Sequence, residues 1–179
     1  RLRVRPPGMQ NFYQHFAEIA QRFAERTAIQ VQRAHTADVY TYRELQGMAE
    51  SAAAALHARG IAPGERCAIL AENDARWAAA YLGLLRLGAV AVPLDTAYTP
   101  EQIATLLRGS GAKKIFTSPR FLAAAREGVA AAAPSTEIIL LYGTAEGVTP
   151  WESFVGAPGA AGAHLPPCPA TFADPAALI

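Results

Sequence analysis

The sequence predicts an α/β fold: a mostly parallel, doubly wound sheet with helices on both faces, preceded by one helix and a β-hairpin. Three observations predict it. From Tyr40 onward, apolar runs of strand length alternate with helical stretches. The strand runs, Cys67–Ala71 foremost, are continuously apolar, as in strands covered on both faces. The helices open on capping residues and close on Gly or Pro.

Taken in order, Asn11 opens an amphipathic helix with Phe12, Phe16, Ile19, Ala20 and Phe23 on one face. Its opposite face is mixed and not strongly basic, so packing on the domain is favoured over a membrane-surface role. Ala28–Arg33 and Asp38–Thr41, joined through His35, read as a half-exposed antiparallel hairpin. Thr41 and Glu44 spell a capping box, and Tyr40 and Leu45 occupy the positions of a hydrophobic staple. Leu45, Met48, Ala49, Ala52 and Leu56 give that helix its apolar face. Gly60 takes the left-handed stop and Pro63 blocks a restart.

After the strand Cys67–Ala71, Asn73 or Asp74 caps a helix over Ala75–Leu87 that is apolar nearly all round and so buried. Gly88 ends it at positive φ, Ala89–Val92 is the next strand, and Pro93 closes that strand. Arg86 is expected to be a partly solvated helix residue, far less costly to replace than Gly88.

Thr99, Pro100 and Gln102 open the next helix through a second capping box, with Ile103, Leu106 and Leu107 as its buried stripe. Gly109, Ser110 and Gly111 end it, and Lys113–Thr117 is a strand. Ser118 and Pro119 open a helix to about Ala132, which Pro134 stops, and Glu137–Tyr142 is a further apolar strand. Four parallel strands with three right-handed crossover helices are therefore expected. Thr149, Pro150 and Glu152 spell one more capping box, for a short helix near Trp151 and Phe154. The expected organisation is a basic tail over 1–10, an α/β body over 11–155, a Gly/Ala/Pro linker over 156–173, and the start of a cut-short strand over 174–179.

At 51% hydrophobic residues the chain has enough apolar surface for a core and too much for disorder. A net charge of +1 with 17% charged residues calls for neither nucleic acid nor an anionic membrane as partner. The apolar stretch Ala78–Leu94 is interrupted by Arg86 and too short to span a bilayer. Arg1, Arg3 and Arg5 lead into Pro6, Pro7 and Gly8, where a secretory signal would need an apolar segment. Cys67 and Cys168 lie far apart, which fits a reduced, cytoplasmic protein.

Chemical candidates are few. Gly156, Gly159 and Gly162 are spaced like a phosphate loop, but Pro158, Pro166, Pro167 and Pro169 flank them and no helix follows. His15, His35, His57 and His164 have no metal-ligand spacing, and His57 suits a helix C-terminus. Glu72 and Asp74 flank Asn73 at a strand's carboxyl end, where open α/β sheets place ligands. Helix capping and solvation are favoured for them over a supporting ligand role. No residue is assigned as catalytic, cofactor-binding or metal-ligating.

Tyr40–Leu45, Y-T-Y-R-E-L, resembles the first core motif of the adenylate-forming enzymes: acyl-CoA synthetases, nonribosomal-peptide adenylation domains and luciferases. Leu85–Asp95, L-R-L-G-A-V-A-V-P-L-D, resembles the second, with Arg86-Leu87 where Lys-Ala is common. Thr99–Ile103, Ser110–Ile115 and Phe116–Ser118 continue the likeness, which runs from Phe12 to Ile179 and is strongest over Tyr40–Ser118. The resemblance implies that the parent protein activates a carboxylic acid with ATP and Mg²⁺ and passes the acyl group to coenzyme A. The family's phosphate loop, adenine segment, ribose-binding aspartate and catalytic lysine lie later in its chains and are absent here. Thr41, Tyr42, Glu44, Leu45, Gly88, Pro93 and Asp95 therefore carry over as scaffold only.

Within the family, Leu94–Ile103 is more similar to a fatty acyl-CoA synthetase than to a peptide-synthetase module. On this resemblance the partners are the remainder of the same chain and a fatty acid, the piece alone is inactive, and a phosphate loop follows Ile179. An open sheet edge is expected to promote self-association. The alternatives are a peptide-synthetase adenylation fragment, or a stand-alone doubly wound nucleotide-binding or interaction module. No G-x-G-x-x-G follows a strand to support a dinucleotide site.

Overall fold

The computed structural model describes residues 11–132, 134–156 and 165–179. The expected basic tail and the glycine-spaced stretch with Pro158, Gly159, Gly162 and His164 lie outside the described residues.

Helix α1 (Phe12–Arg22) is capped by Asn11, whose Oδ1 accepts from the Gln14 amide. Its buried residues are Tyr13 and Ala20. Phe12, expected on the buried face, is 53% exposed, because the helix is rolled to seat Tyr13. Strands β1 (Thr27–Gln32) and β2 (Ala37–Thr41) form the antiparallel hairpin. Thr41 then starts α2 (Tyr42–Ala58) through a complete capping box with Glu44.

A parallel sheet follows, in the order β4-β3-β5-β6-β7. Its strands are β3 (Arg66–Leu70), β4 (Val90–Pro93), β5 (Lys114–Thr117), β6 (Glu137–Leu140) and β7 (Thr149–Pro150). Between them run α3 (Ala75–Leu87), α4 (Pro100–Ser110) and α5 (Leu122–Ala132), and α6 (Trp151–Val155) follows β7. A 3₁₀ turn over Pro119–Phe121 precedes α5. The capping box of Thr99 and Gln102 forms at α4, and Gly88 (φ 72°) and Gly111 (φ 63°) take the left-handed stops.

Side chains alternate between the two faces of the sheet. Cys67, Ile69, Phe116 and Ile139 pack under α2, α3 and α6, with Leu56, Leu84, Trp151 and Phe154. Ala68, Leu70, Ile115 and Ile138 pack under α4 and α5, with Ile103, Leu107, Ala125 and Val129. Both faces are thus covered, and the fold is the doubly wound α/β one.

Several expectations change. A fifth strand, β7, forms where a capping box was read: Thr149 pairs with Ile139 in the ladder, and its hydroxyl donates to Glu137 (2.8 Å). Pro150 is the N-cap of α6 and there is no side-chain cap. Leu106, read as part of a buried stripe, is 36% exposed, because α4 turns Ile103, Ala104 and Leu107 inward. Cys67 and Cys168 are both buried free thiols, and burial pushes the Cys67 thiol up to about 12.

The segment 165–179 packs beside α3 and β4. Arg86 donates to the Pro166 carbonyl (2.8 Å), Cys168 to the Leu85 carbonyl (3.3 Å), and Asn11 to the Ala170 carbonyl (2.9 Å). Ala177 makes a parallel bridge to Ala91 on the free side of β4, through Ala91 N to Ala176 O (3.1 Å) and Leu178 N to Ala91 O (2.8 Å).

Candidate functional site

The strand order reverses direction at one place. The chain passes from β3 to β4 on one side, then returns through α4 to β5 on the other side of β3. Loops leaving adjacent strands in opposite directions open a crevice at their carboxyl ends, where open α/β sheets hold ligands. Here that crevice is a cleft of about 360 Å³. The turn after β3 (Ala71–Asp74), the turn after β5 (Ser118–Arg120), Leu141 and Tyr142 after β6, and Val31 and Arg33 of the hairpin line it.

Asp74 organises one wall. It stands at the N-cap position of α3 with extended backbone, yet makes no capping bond to that helix. The expected cap is replaced by two stronger partners: the Tyr142 hydroxyl donates to one carboxylate oxygen and Arg33 to the other (2.9 Å). Burial opposes ionisation of Asp74, and these bonds outweigh it, holding the carboxyl below its usual range. Burial and the same bond push the Tyr142 phenol up. Arg33 also reaches Asp38 (2.7 Å), so Asp74 ties the hairpin to the sheet.

Behind this wall Arg76 lies over the Tyr142 ring (4.5 Å), donates to the Leu141 carbonyl and pairs with Glu152 (2.6 Å). Glu152, read as part of a capping box, therefore serves Arg76. The opposite wall holds Ser118, which is 3% exposed and whose hydroxyl oxygen has no hydrogen-bond partner among the described residues. Glu72, Asn73 and Arg120 are exposed at the mouth.

The sequence placed Glu72 and Asp74 at this edge, and the structure brings them together with Ser118 and Tyr142. The involvement of Ser118, Tyr142 and Arg33 was not legible: they come from separate elements, and only the strand order makes them neighbours. His15, His35 and His57 do not converge, and no group of three His, Cys, Asp or Glu among the described residues could hold a metal ion. The scaffold residues Thr41, Glu44, Gly88 and Pro93 lie outside this cleft, at the start of α2 and at either end of β4.

The sequence profile of the AMP-binding enzyme family matches residues 16–179. The chain belongs to the AMP-binding enzyme family. Surfactin synthase subunit 1 of Bacillus subtilis is 36% identical to it over 107 residues, 60% of this chain and 3% of that protein. A 3-[(3aS,4S,7aS)-7a-methyl-1,5-dioxo-octahydro-1H-inden-4-yl]propanoyl:CoA ligase of Mycobacterium tuberculosis is 39% identical over 87 residues, 49% of this chain and 17% of that one. A long-chain-fatty-acid–CoA ligase of the same species is 36% identical over 75 residues, 42% of this chain and 15% of that one. A benzoate CoA ligase from Burkholderia xenovorans superposes with a TM-score of 0.73 at 22% identity, over 92% of this chain and 30% of that structure. The AMP-binding enzyme chain described here thus spans between 3% and 17% of the length of these curated relatives. Among its described residues no helix is long and apolar enough to cross a membrane.

Proposed function

We propose that this chain is scaffold for an ATP-dependent acid–thiol ligase, with a fatty acid as acid and coenzyme A as thiol. The observation that supports this is the family match over 16–179. Two motifs of the resemblance also form as structure: the capping box at Thr41 and the Gly88 stop before β4. The chemistry is that of carboxylate activation. A carboxylate is a poor electrophile, and joining it to AMP supplies a leaving group that a thiol can displace. ATP and Mg²⁺ supply the phosphoryl chemistry when bound. The described residues offer no cluster fit to hold Mg²⁺, and the sequence has no Ser/Thr/Gly-rich loop ending in lysine, so no step is assigned to them. What these residues do is fix the geometry of the sheet.

A second reading has its own support. The match to the surfactin synthase subunit is longer than that to either ligase, 107 residues against 87 and 75, which favours an amino-acid-activating adenylation module. One assay addresses both. The complete natural protein and this chain are each incubated with ATP, Mg²⁺ and a panel of fatty, aryl and amino acids, with and without coenzyme A. Acid-dependent AMP release that requires coenzyme A is expected from the natural protein, and none from this chain. Pyrophosphate release driven by amino acids without coenzyme A supports the second reading. Neither acid-dependent pyrophosphate nor acid-dependent AMP from the natural protein under any condition overturns both.

A further inference from the structure

We infer that residues 165–179 form a strap whose hold on the sheet is set by α1: displacing that helix frees the strap and uncovers the outer side of β4, while the α/β body stays folded. Within 165–179 only Cys168 is buried, whereas Ala68–Leu70 and Val90–Val92 of the neighbouring strands are buried throughout. A segment with so few buried side chains lies at the low end of local stability. Pro166, Pro167 and Pro169 have no N–H, so the first half of the strap offers mainly carbonyls. The side-chain donors that hold them come from the body: Arg86 to Pro166 (2.8 Å) and Asn11 to Ala170 (2.9 Å). The Cys168 thiol, a weak donor, reaches back to the Leu85 carbonyl (3.3 Å). The second half turns between Thr171 and Asp174 and ends on the two backbone bonds to Ala91.

Both side-chain donors answer to α1. Asn11 is its N-cap, 5% exposed, and uses both ends of its carboxamide: Oδ1 accepts from the Gln14 amide (2.9 Å) and Nδ2 donates to Ala170. Two residues on, the Tyr13 hydroxyl donates to Glu50, the Tyr13 ring lies against Arg86 (5.9 Å), and Glu50 pairs with Arg86 (3.4 Å). Unwinding α1 therefore takes Asn11 from Ala170 and removes one of the groups that aim Arg86 at Pro166. Between helix and strap lies a cavity of about 290 Å³, with Tyr13, Leu85, Ala89, Phe172 and Pro175 in its walls. The seam is thus incompletely packed, which leaves the polar bonds a large part of the hold. Ala91 gives its outward N–H to Ala176 (3.1 Å) and accepts from Leu178 (2.8 Å). Both groups are freed when the strap lifts, so a shift of α1 is transmitted to the outer side of β4.

Hydrogen exchange on the complete natural protein, read at single amides, tests this. The Ala91 and Leu178 amides report the strap, and the Leu94 amide, which donates to Ile69 inside the sheet (2.9 Å), reports the body. In the unaltered protein Ala91 and Leu178 are expected to exchange at least roughly tenfold faster than Leu94. Asn11→Asp keeps the capping oxygen and loses the donor to Ala170, and should speed exchange at Ala91 and Leu178 roughly tenfold while Leu94 is unchanged. Glu18→Pro, at an exposed position within α1, breaks that helix and should accelerate the same two amides at least as much. Equal exchange at all three amides in the unaltered protein, unchanged exchange at Ala91 and Leu178 in either variant, or an equal acceleration at Leu94 in either variant would each overturn the inference.

Discussion

Arg86 shows how much one side chain can hold. Read as a partly solvated helix residue, it is one, with its side chain 15% exposed, and it also pairs with Glu50 (3.4 Å). It also lies over the Tyr13 ring (5.9 Å) and donates to the Pro166 carbonyl. It thereby joins α1, α2, α3 and the 165–179 segment. Arg86→Ala removes an ion pair to Glu50, a hydrogen bond to the Pro166 carbonyl and a cation–π contact with Tyr13, which together cost about 1–3 kcal/mol. Gly88→Val costs a similar amount, about 1–3 kcal/mol, from the left-handed backbone. Its Cβ would also stand 3.2 Å from that of Ala170. The two variants are expected to lower the melting temperature comparably, where the sequence pointed to Gly88 alone. Thermal denaturation followed by circular dichroism checks this. Gly88 was legible because a helix stop is written locally. Arg86 was not, because its partners lie 36 residues before it and 80 after it along the chain. A second prediction concerns Glu137, which pairs with Lys114 (2.7 Å) and accepts from Thr149. Burial opposes its ionisation, and the bonds to Lys114 and Thr149 outweigh that, placing its folded pKa below the ordinary 4.5. A depressed folded pKa gives stability that is present above the unfolded value and is lost as pH falls through the folded one. Acid titration should show that loss beginning below about pH 4.5, and Glu137→Gln should show a shallower acid limb.

At the scale of elements, helix packing makes two glycines of opposite character. Gly83 lies where α3 meets α2, and a Cβ there would stand 2.9 Å from the Ala52 Cβ and 3.0 Å from the Ala49 carbonyl. Gly47 is exposed on α2 with nothing within 4 Å of a Cβ. Alanine is the better helix former by about 1 kcal/mol in both places. At Gly83 overpacking, about 1–3 kcal/mol, wins. Gly83→Ala should therefore lower, and Gly47→Ala raise, the denaturation midpoint in urea. Most elements were legible, since the capping boxes at Thr41 and Thr99 and the apolar strands are local patterns. The two-residue β7 was not: Thr149 and Pro150 carry no strand pattern, and only the Ile139 neighbour makes them one. The candidate site was legible in part for the same reason. Glu72 and Asp74 announce a strand end, whereas Ser118, Tyr142 and Arg33 join them through topology.

For the whole molecule, the sheet has two rims, and both differ from the open edge expected. One is β7, only two residues long and ending in Pro150. At the other, Val90 and Leu94 donate toward β3, so Ala91 and Pro93 face outward. Ala91 has spent both its groups on Ala176 and Leu178. The next outward position is Pro93, which has no N–H to give. A zipper of backbone amides started at Ala177 thus loses a tooth immediately. Pro93 acts as a gatekeeper against templated growth of the sheet, a device that protects proteins from fibril formation. Restoring the missing donor should remove that protection: Pro93→Ala is expected to shorten the lag of thioflavin-T fluorescence on prolonged shaking, and an unchanged lag would show that the rim is guarded by something other than its proline.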